Sequence, residues 1–584
     1  MSASVETVHE QNSIAIPWLT LEAAAYIALS ALALGLRLAA LGAYPLAEGE
    51  ALQALAGWGA VQGLAWPEGA YSPLILSLSL PFFLLFGASD FTARLAPALL
   101  GSALVPLPYL LRHRLGRAGA LVASALLACS PSMLYLSRFA GGGIGVAFGA
   151  MLTLVGLIRW LDDKERQWLY LGAGGLAVAL ASDGNGYLFL ILAATFVWGI
   201  ALLRAEIRAA LSAVPSTPGL AGRVVAVFLL TFLAGSTALF CHVSALSRAA
   251  ELPAEWLAAF TLTGAPTGPS VPPPLFLLVV YEPLVLAFGL VGMGLIAIRR
   301  DTLALFLLYW FVGAALVVTL QQGRTAAAMP LVVLPLIILA SDFLGRLLPV
   351  AGVGLREPRA KDEWLVEGLL VSVLIAIFAY GYIELSWYAR TGDTGRVMMT
   401  AIALGLCGGV LALFWVWYGM PCALRGGALA LALLLAASSF AAGQRLAYDT
   451  RTLPYEPLAS SPTAPNVRDA LETLLRVSNR WEGDAHAIGI TVEEATGPVL
   501  RWYLRDFVNA QFVADVGPTP TSRALVTTDR SDLGTEEPYA GQDFTLRTFW
   551  VSQELNAVDT LRWLLFRQSS QRPQEEKFVL WLRQ

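Results

Sequence analysis

The sequence predicts an all-α polytopic membrane protein of about thirteen transmembrane helices with a small α/β domain at its C-terminal end. Three observations predict this. Of 584 residues, 57% are hydrophobic and only 14% charged, and the mean hydropathy is +0.64, where soluble domains carry roughly 25% charged residues. Apolar runs of 18 or more residues recur through the first ~446 positions, each long enough to cross a hydrocarbon core of roughly 30 Å. After residue 447 charged residues become frequent and a segment containing proline and serine intervenes.

The spans follow from which connections hold Arg and Lys, because cytoplasmic loops retain them. Basic connections lie at 112–117, 159–167, 204–223, 299–300 and 346–361; connections poorer in basic residues lie at 44–72, 182–185, 245–274, 321–329 and 388–396. Helices fitted between these sets fall near 19–43, 93–111, 118–136, 144–160, 168–182, 187–203, 224–244, 275–297, 302–320, 330–345, 364–387, 397–418 and 426–446. An odd count leaves residues 1–18 as a cytoplasmic tail and puts everything after 446 outside the cell membrane. One apolar run, SPLILSLSLPFFLLFGA at 72–88, would invert every later loop if it crossed. It is therefore assigned as a re-entrant or interfacial helix within a first external segment, 44–90.

Residues 447–466 read as a linker and 467–584 as an extracytoplasmic α/β domain. VRDALETLLRVSNRW has helical spacing, AIGITV and RALVTT read as short strands, DTLRWLLFR as a helix and KFVLWLRQ as a terminal strand. The net charge of −4 is small and no basic cluster appears, which gives nucleic-acid binding no support. The four cysteines show neither a disulfide framework nor metal-ligand spacing.

Candidate site residues come from charges placed where a bilayer makes them costly. Glu48 and Glu50, in AEGEA after the first span, could converge on one ligand or metal; the plain alternative is a solvated loop. Arg138 precedes a triple glycine at the outer end of the third span, and Arg324 sits in the external loop QQGRTAAAM. Either could meet a lipid phosphate or simply snorkel to water. Arg37, inside the first span, calls for a carboxylate partner, Glu48 or Glu50 being nearest in sequence. Glu282, between Tyr281 and Pro283, and Asp183 at an outer helix end complete the set. Asp90 and Arg94 have the spacing of a local ion pair, His242 reads as a core or interface histidine, and Trp415 and Trp417 as interfacial anchors. The glycine spacings at 141–145 and 172–175 permit tight helix packing.

The order of these features resembles the glycosyltransferase C superfamily, of the protein mannosyltransferase and arabinose transferase type, and most closely its flippase-associated branch. The resemblance rests on FGASDFTARLAPALLG (86–101), SPSMLYLSRF (130–139), the YEP of 281–283 and RWYLRDF (501–507). It implies a polyprenyl-phosphate-linked sugar as donor, a glycan, lipid or protein as external acceptor, and an acidic residue that activates the acceptor or helps hold a divalent cation. Glu50 and Glu48 would fill that role, while Arg138, Arg324, Glu282, Asp183 and Arg37 would contact substrate.

Four departures stand out. Where the family reads Asp-Glu-Ala, this chain has Gly49-Glu50-Ala51, and an acidic Asn-Asp element after Phe139 is replaced by Ala140 and three glycines. Ser182-Asp183-Gly184 stands for Thr-Lys-Glu, and Tyr71-Ser72-Pro73 for His-Gly-Pro. A catalytically inactive paralogue that binds lipid-linked glycan, or assists its flipping, is the alternative these departures raise.

Overall fold

The computed structural model describes residues 20–64, 69, 71–216, 218–261, 271–299, 301–348, 361–449, 451, 453–459, 461–517, 520–528, 538–550 and 555–584. The expected tail at 1–18 lies outside them. The apolar runs become α1 (Leu21–Leu38), α2 (Glu48–Gln62), α3 (Pro73–Phe86), α4 (Asp90–Leu104), α5 (Arg112–Cys129), α6 (Pro131–Ser137), α7 (Gly143–Asp163), α8 (Arg166–Ser182), α9 (Asn185–Leu203), α10 (Ala205–Ser216) and α11 (Leu220–Ser236). There follow α12 (Leu246–Ala258), α13 (Pro274–Tyr281), α14 (Pro283–Arg299), α15 (Thr302–Leu320), α16 (Met329–Leu347), α17 (Lys361–Thr391), α18 (Thr394–Tyr418) and α19 (Met420–Tyr448).

Among the described residues nine helices are long and apolar enough to cross a membrane, or ten if the bent pair α13 and α14 forms one span. The expected thirteen columns all fall on helix, but those at 19–43 and 224–244 end earlier than drawn, the first at Leu38. The column at 168–182 is the 17-residue α8, and that at 224–244 stops at Ser236 because Ala238, Leu239 and Phe240 take positive φ. The column at 118–136 breaks at Ser130, where Pro131 opens a new helix and cannot supply an N–H to the old one. The run at 72–88 forms the 14-residue α3, only about 21 Å long at 1.5 Å per residue and too short to span.

The bundle is organised around α16, whose residues 329–341 are buried without exception. Packing between α7 and α8 depends on glycine. A Cβ on Gly156 would lie 2.5 Å from the Gly172 amide nitrogen, so the two backbones touch.

The terminal domain comprises α20 (Asn466–Glu482), α21 (Pro498–Tyr503), α22 (Ala557–Phe566) and a five-stranded sheet in the order β2-β1-β3-β5-β4. Its strands are β1 (Ile490–Glu493), β2 (Ala510–Val513), β3 (Ala524–Thr528), β4 (Tyr539–Phe549) and β5 (Gln574–Arg583). β1 pairs parallel with β2 and β3, while β5 pairs antiparallel with β3 and β4. A register shift in β4 between Thr545 and Arg547 turns Arg547 toward the helical part of the molecule.

That domain is bolted to the segment between α1 and α4. Asp90, at the start of α4, accepts from Arg468 Nη2 at 2.6 Å, Trp502 Nε1 at 2.8 Å and the Tyr503 hydroxyl at 2.8 Å. The Asp90–Arg94 pair drawn from their i,i+4 spacing therefore gives way, because each side chain finds partners distant in sequence. The linker is held as well: Glu456 is buried, pairs with Arg567 at 3.2 Å and accepts from the Tyr281 hydroxyl at 2.5 Å. Asp90→Ala removes three donors' shared acceptor, and its expected effect is to weaken docking by about 2 kcal/mol. Hydrogen exchange in residues 498–507 should then quicken by roughly 30-fold, with exchange in α16 unchanged.

Candidate functional site

The segment that joins α6 to α7, residues 138–142, is where the candidate residues gather. It begins with Arg138, 7% exposed, which donates to the carbonyls of Leu36, Arg37, Ala39 and Ala40 at 2.6–3.2 Å. These are the last carbonyls of α1 and the turn beyond it, which lack helical partners and favour a cation. The Arg138 guanidinium also lies 4.5 Å from the centroid of the Tyr448 ring. Arg138 thus closes a helix end, where the sequence alone allows a lipid-phosphate contact or a side chain reaching to water.

Glu50 meets the same segment from the other side. It is 2% exposed and accepts from the Ala47 N–H at 3.0 Å, the Ala140 N–H at 2.9 Å, Arg94 Nε at 2.7 Å and Arg94 Nη2 at 2.5 Å. Arg94 gives its other three N–H groups to the carbonyls of Leu41, Tyr44 and Pro45, so all five guanidinium donors are used. The pair is saturated on both sides. With both oxygens occupied, Glu50 is neither an open base nor a metal ligand here; it ties α2, α4 and Ala140 together.

Glu48 points elsewhere. Its Oε2 pairs with Arg547 of β4, which also binds Glu576 at 2.6 and 2.9 Å. The Glu48 side chain is 38% exposed and lines a crevice with Thr463, Thr496, Gly497 and Arg547. The two glutamates expected to converge therefore serve two different joints.

Past Ala140 the glycines allow two further approaches. A Cβ on Gly142 would stand 2.1 Å from the Ser182 carbonyl oxygen and 2.9 Å from Asp183 Cβ, and one on Gly143 would stand 2.6 Å from the Ala327 carbonyl oxygen. Asp183 and the loop of Arg324 thus lie against the same turn. Asp183 Oδ1 accepts from the Asn185 N–H at 2.9 Å and Asn185 Nδ2 at 2.6 Å, an Asx turn for which the D-G-N spacing was the available signal. Its Oδ2 has no hydrogen-bond partner among the described residues. Burial pushes this carboxyl above its ordinary value, and the two Asn185 donors pull it part of the way back. Arg324 donates through Nε and Nη1 to the carbonyls of Val271, Thr319 and Gln321, and its Nη2 has no partner among the described residues.

Two expected residues sit apart from this turn. Glu282 occupies the 112° break between α13 and α14 and accepts from Ser130 Oγ at 2.5 Å and the Ser132 N–H at 3.0 Å. It lies at the opposite end of α6 from Arg138, roughly 10 Å away by helical rise. Arg37 has no carboxylate partner among the described residues. Its guanidinium donates to the carbonyls of Leu127 at 3.1 Å, Ala128 at 3.5 Å and Ala33 at 3.2 Å. The expectation that Arg37 pairs with Glu48 or Glu50 is corrected: the break at Ser130 has a cation on the carbonyl end of α5 and an anion on the amide end of α6, each complementing a helix dipole. Among the described residues no group of three or more His, Cys, Asp or Glu side chains could hold a metal ion.

Comparison with known proteins agrees with this architecture. Residues 63–246, which include the 138–142 turn and Asp183, match the family described as dolichyl-phosphate-mannose-protein mannosyltransferase. No curated protein matches the sequence. Among solved structures, the chain is similar to ArnT from Cupriavidus metallidurans in its apo state, at 16% identity, with a TM-score of 0.51 over 86% of this chain and 87% of that one. The same protein bound to undecaprenyl phosphate gives a TM-score of 0.50 at 14% identity, over 97% of this chain and 98% of that one. The family match thus covers about a third of the chain, and the likeness to ArnT extends the shared fold over most of its length.

Proposed function

We propose that this protein is a multi-pass cell-membrane glycosyltransferase that moves a sugar from a polyprenyl-phosphate carrier to an acceptor outside the membrane, with Asp183 as its base. The observation that carries the reading is the unpartnered Asp183 Oδ2 beside the Gly142 turn. In the transfer, the acceptor oxygen attacks the anomeric carbon and the bond from that carbon to the phosphate oxygen breaks. The acceptor proton passes to Asp183 Oδ2 and the phosphate departs with its lipid. Arg324, through Nη2, is the candidate contact for the charge that develops on the phosphate. Since the basic connections mark the cytoplasmic side, the terminal domain and this turn face outward. Glu50 offers a cation no free lone pair, since its oxygens are filled by Arg94 and two amides.

The test is release of polyprenyl phosphate from polyprenyl-phosphate mannose, glucose or galactose by purified protein in lipid bilayers. Asp183→Asn should lower turnover by about 10²–10⁴-fold, the range of general-base catalysis, while Glu48→Gln stays within a few-fold. Only the ionised base works, and burial raises its pKa. Wild-type turnover should therefore fall on acidification at a pH above that of an ordinary aspartate, and that limb should vanish in Asp183→Asn. Unchanged turnover in Asp183→Asn would remove the base assignment.

The closed Glu50–Arg94 pair favours a second reading, a non-catalytic component that binds lipid-linked glycan or assists its flipping. Binding of the carrier with no turnover of any donor would select it.

A further inference from the structure

On the Asp183–Asn185 connection and on the side chain packed against it, two buried polar atoms lack a hydrogen-bond partner among the described residues. Asn185 is 6% exposed; its Nδ2 is spent on Asp183, but its Oδ1 is buried with no hydrogen-bond partner among the described residues. Trp256, on α12, packs on the same connection, its Cβ standing 2.8 Å from where a Cβ on Gly184 would be. The Trp256 indole Nε1 is likewise buried without a partner among the described residues. An orphaned acceptor on the residue that caps Asp183 and an orphaned donor on the side chain packed against Gly184 are costly, and such groups in a folded protein call for a bound water, ion or ligand.

The element that carries Trp256 is held firmly. Arg248, buried on α12, donates through Nε to the Tyr71 carbonyl at 3.1 Å and through Nη1 to Glu251 at 2.9 Å, and it also pairs with Glu255. At the far end of α12, the Ala259 carbonyl accepts from the amides of Gln322 and Gly323 at 2.9 and 3.1 Å. The helix therefore bridges the Asp183 connection and the loop of Arg324.

We propose that Asn185 and Trp256 form a sugar-hydroxyl subsite between the base and the phosphate contact. Asn185 Oδ1 accepts from one ring hydroxyl and Trp256 Nε1 donates to a neighbouring one, with the indole beside the ring. A vicinal diol suits the pair because each hydroxyl can donate or accept. The inference rests on the transferase reading and adds what recognises the sugar, since sites that hydrogen-bond a hydroxyl discriminate against ligands lacking it.

The experiment measures, in lipid nanodiscs, binding of bare polyprenyl phosphate and of polyprenyl phosphate carrying mannose, glucose or galactose. The proteins are the full-length wild type, Trp256→Phe and Asn185→Leu. Wild type should prefer at least one sugared lipid over the bare one. Each variant should lose that preference by roughly five- to tenfold, the scale of a single hydrogen bond, with affinity for the bare lipid unchanged. Trp256→Phe keeps a ring and removes only the indole N–H. Variants that retain the wild-type preference would overturn the subsite, as would variants whose affinity for bare and sugared lipid falls equally. Wild type that binds bare lipid without preferring any sugar would overturn the subsite and leave the transferase reading standing. Wild type that binds none of the lipids would remove both.

Discussion

Glu50→Ala and Arg94→Ala are each expected to cost about 3–5 kcal/mol, because each leaves a buried partner charge uncompensated. Arg94→Ala strips two charged donors from Glu50, while three carbonyls around residues 41–45 lose theirs. Glu50→Ala abandons the Ala140 amide as well as the guanidinium. Unfolding in mild detergent by heat or denaturant would show the loss. The Glu50→Leu, Arg94→Leu double variant should lose much less than the sum of the single changes, since an apolar pair leaves no buried ion. Glu48→Ala is the comparison within the same helical turn: half-exposed and paired at a domain joint, it should cost no more than about 1 kcal/mol. Equal losses at positions 48 and 50 would contradict the assignment of Glu50 as a buried cross-link.

Gly142→Ala should cost about 100-fold in turnover, the scale of a 1 Å misplacement at a reacting centre. The added methyl would meet the Ser182 carbonyl oxygen at 2.1 Å and its carbon at 2.8 Å. Both are backbone atoms that no side-chain rotation can clear, and relief must come by moving the Asp183 connection away from the turn. Gly49→Ala is the control, because nothing lies within 4 Å of a Cβ there. In the first turn of α2 it should leave turnover intact and stabilise by up to about 1 kcal/mol. Equal activity in the two variants would mean that Asp183 and the turn need not touch for the chemistry.

Much of the fold is legible in the sequence because it is set by local hydrophobicity. The long apolar helices, the short helix α3 and the start of the terminal domain each follow from runs of residues that need no distant partner to declare themselves. The strands β1, β3 and β5 show the same way. Both strands that escaped notice, β2 and β4, are sheet edges, where one side has no strand to select a pattern. β4 is further disguised by its register shift at Arg547.

The site was legible in its parts and not in its pairings. Glu50, Arg138, Arg324 and Asp183 all stand out as charges at the ends of apolar runs, and Glu50, Asp183 and the loop of Arg324 meet the turn that Arg138 begins. Yet Arg94 was assigned to Asp90, four residues away, when its carboxylate lies 44 positions earlier, because sequence spacing reveals only neighbours on one helix. Arg37 called for a carboxylate and found carbonyls: a helix broken at Pro131 offers an uncapped negative end that no composition window displays. Asn185 was passed over although D-G-N is a local turn signal, since its importance comes from Trp256 arriving from another element.

A structure of the protein in a lipid bilayer with a non-hydrolysable polyprenyl-phosphate sugar bound would show whether Asp183 faces the reacting carbon. The anomeric carbon should lie against the Gly142 turn within hydrogen-bonding reach of Asp183 Oδ2 through the acceptor oxygen, with the Glu50–Arg94 pair still closed. A sugar seated in the Glu48–Arg547 crevice, or a Glu50 carboxylate released from Arg94 to face the substrate, would contradict it.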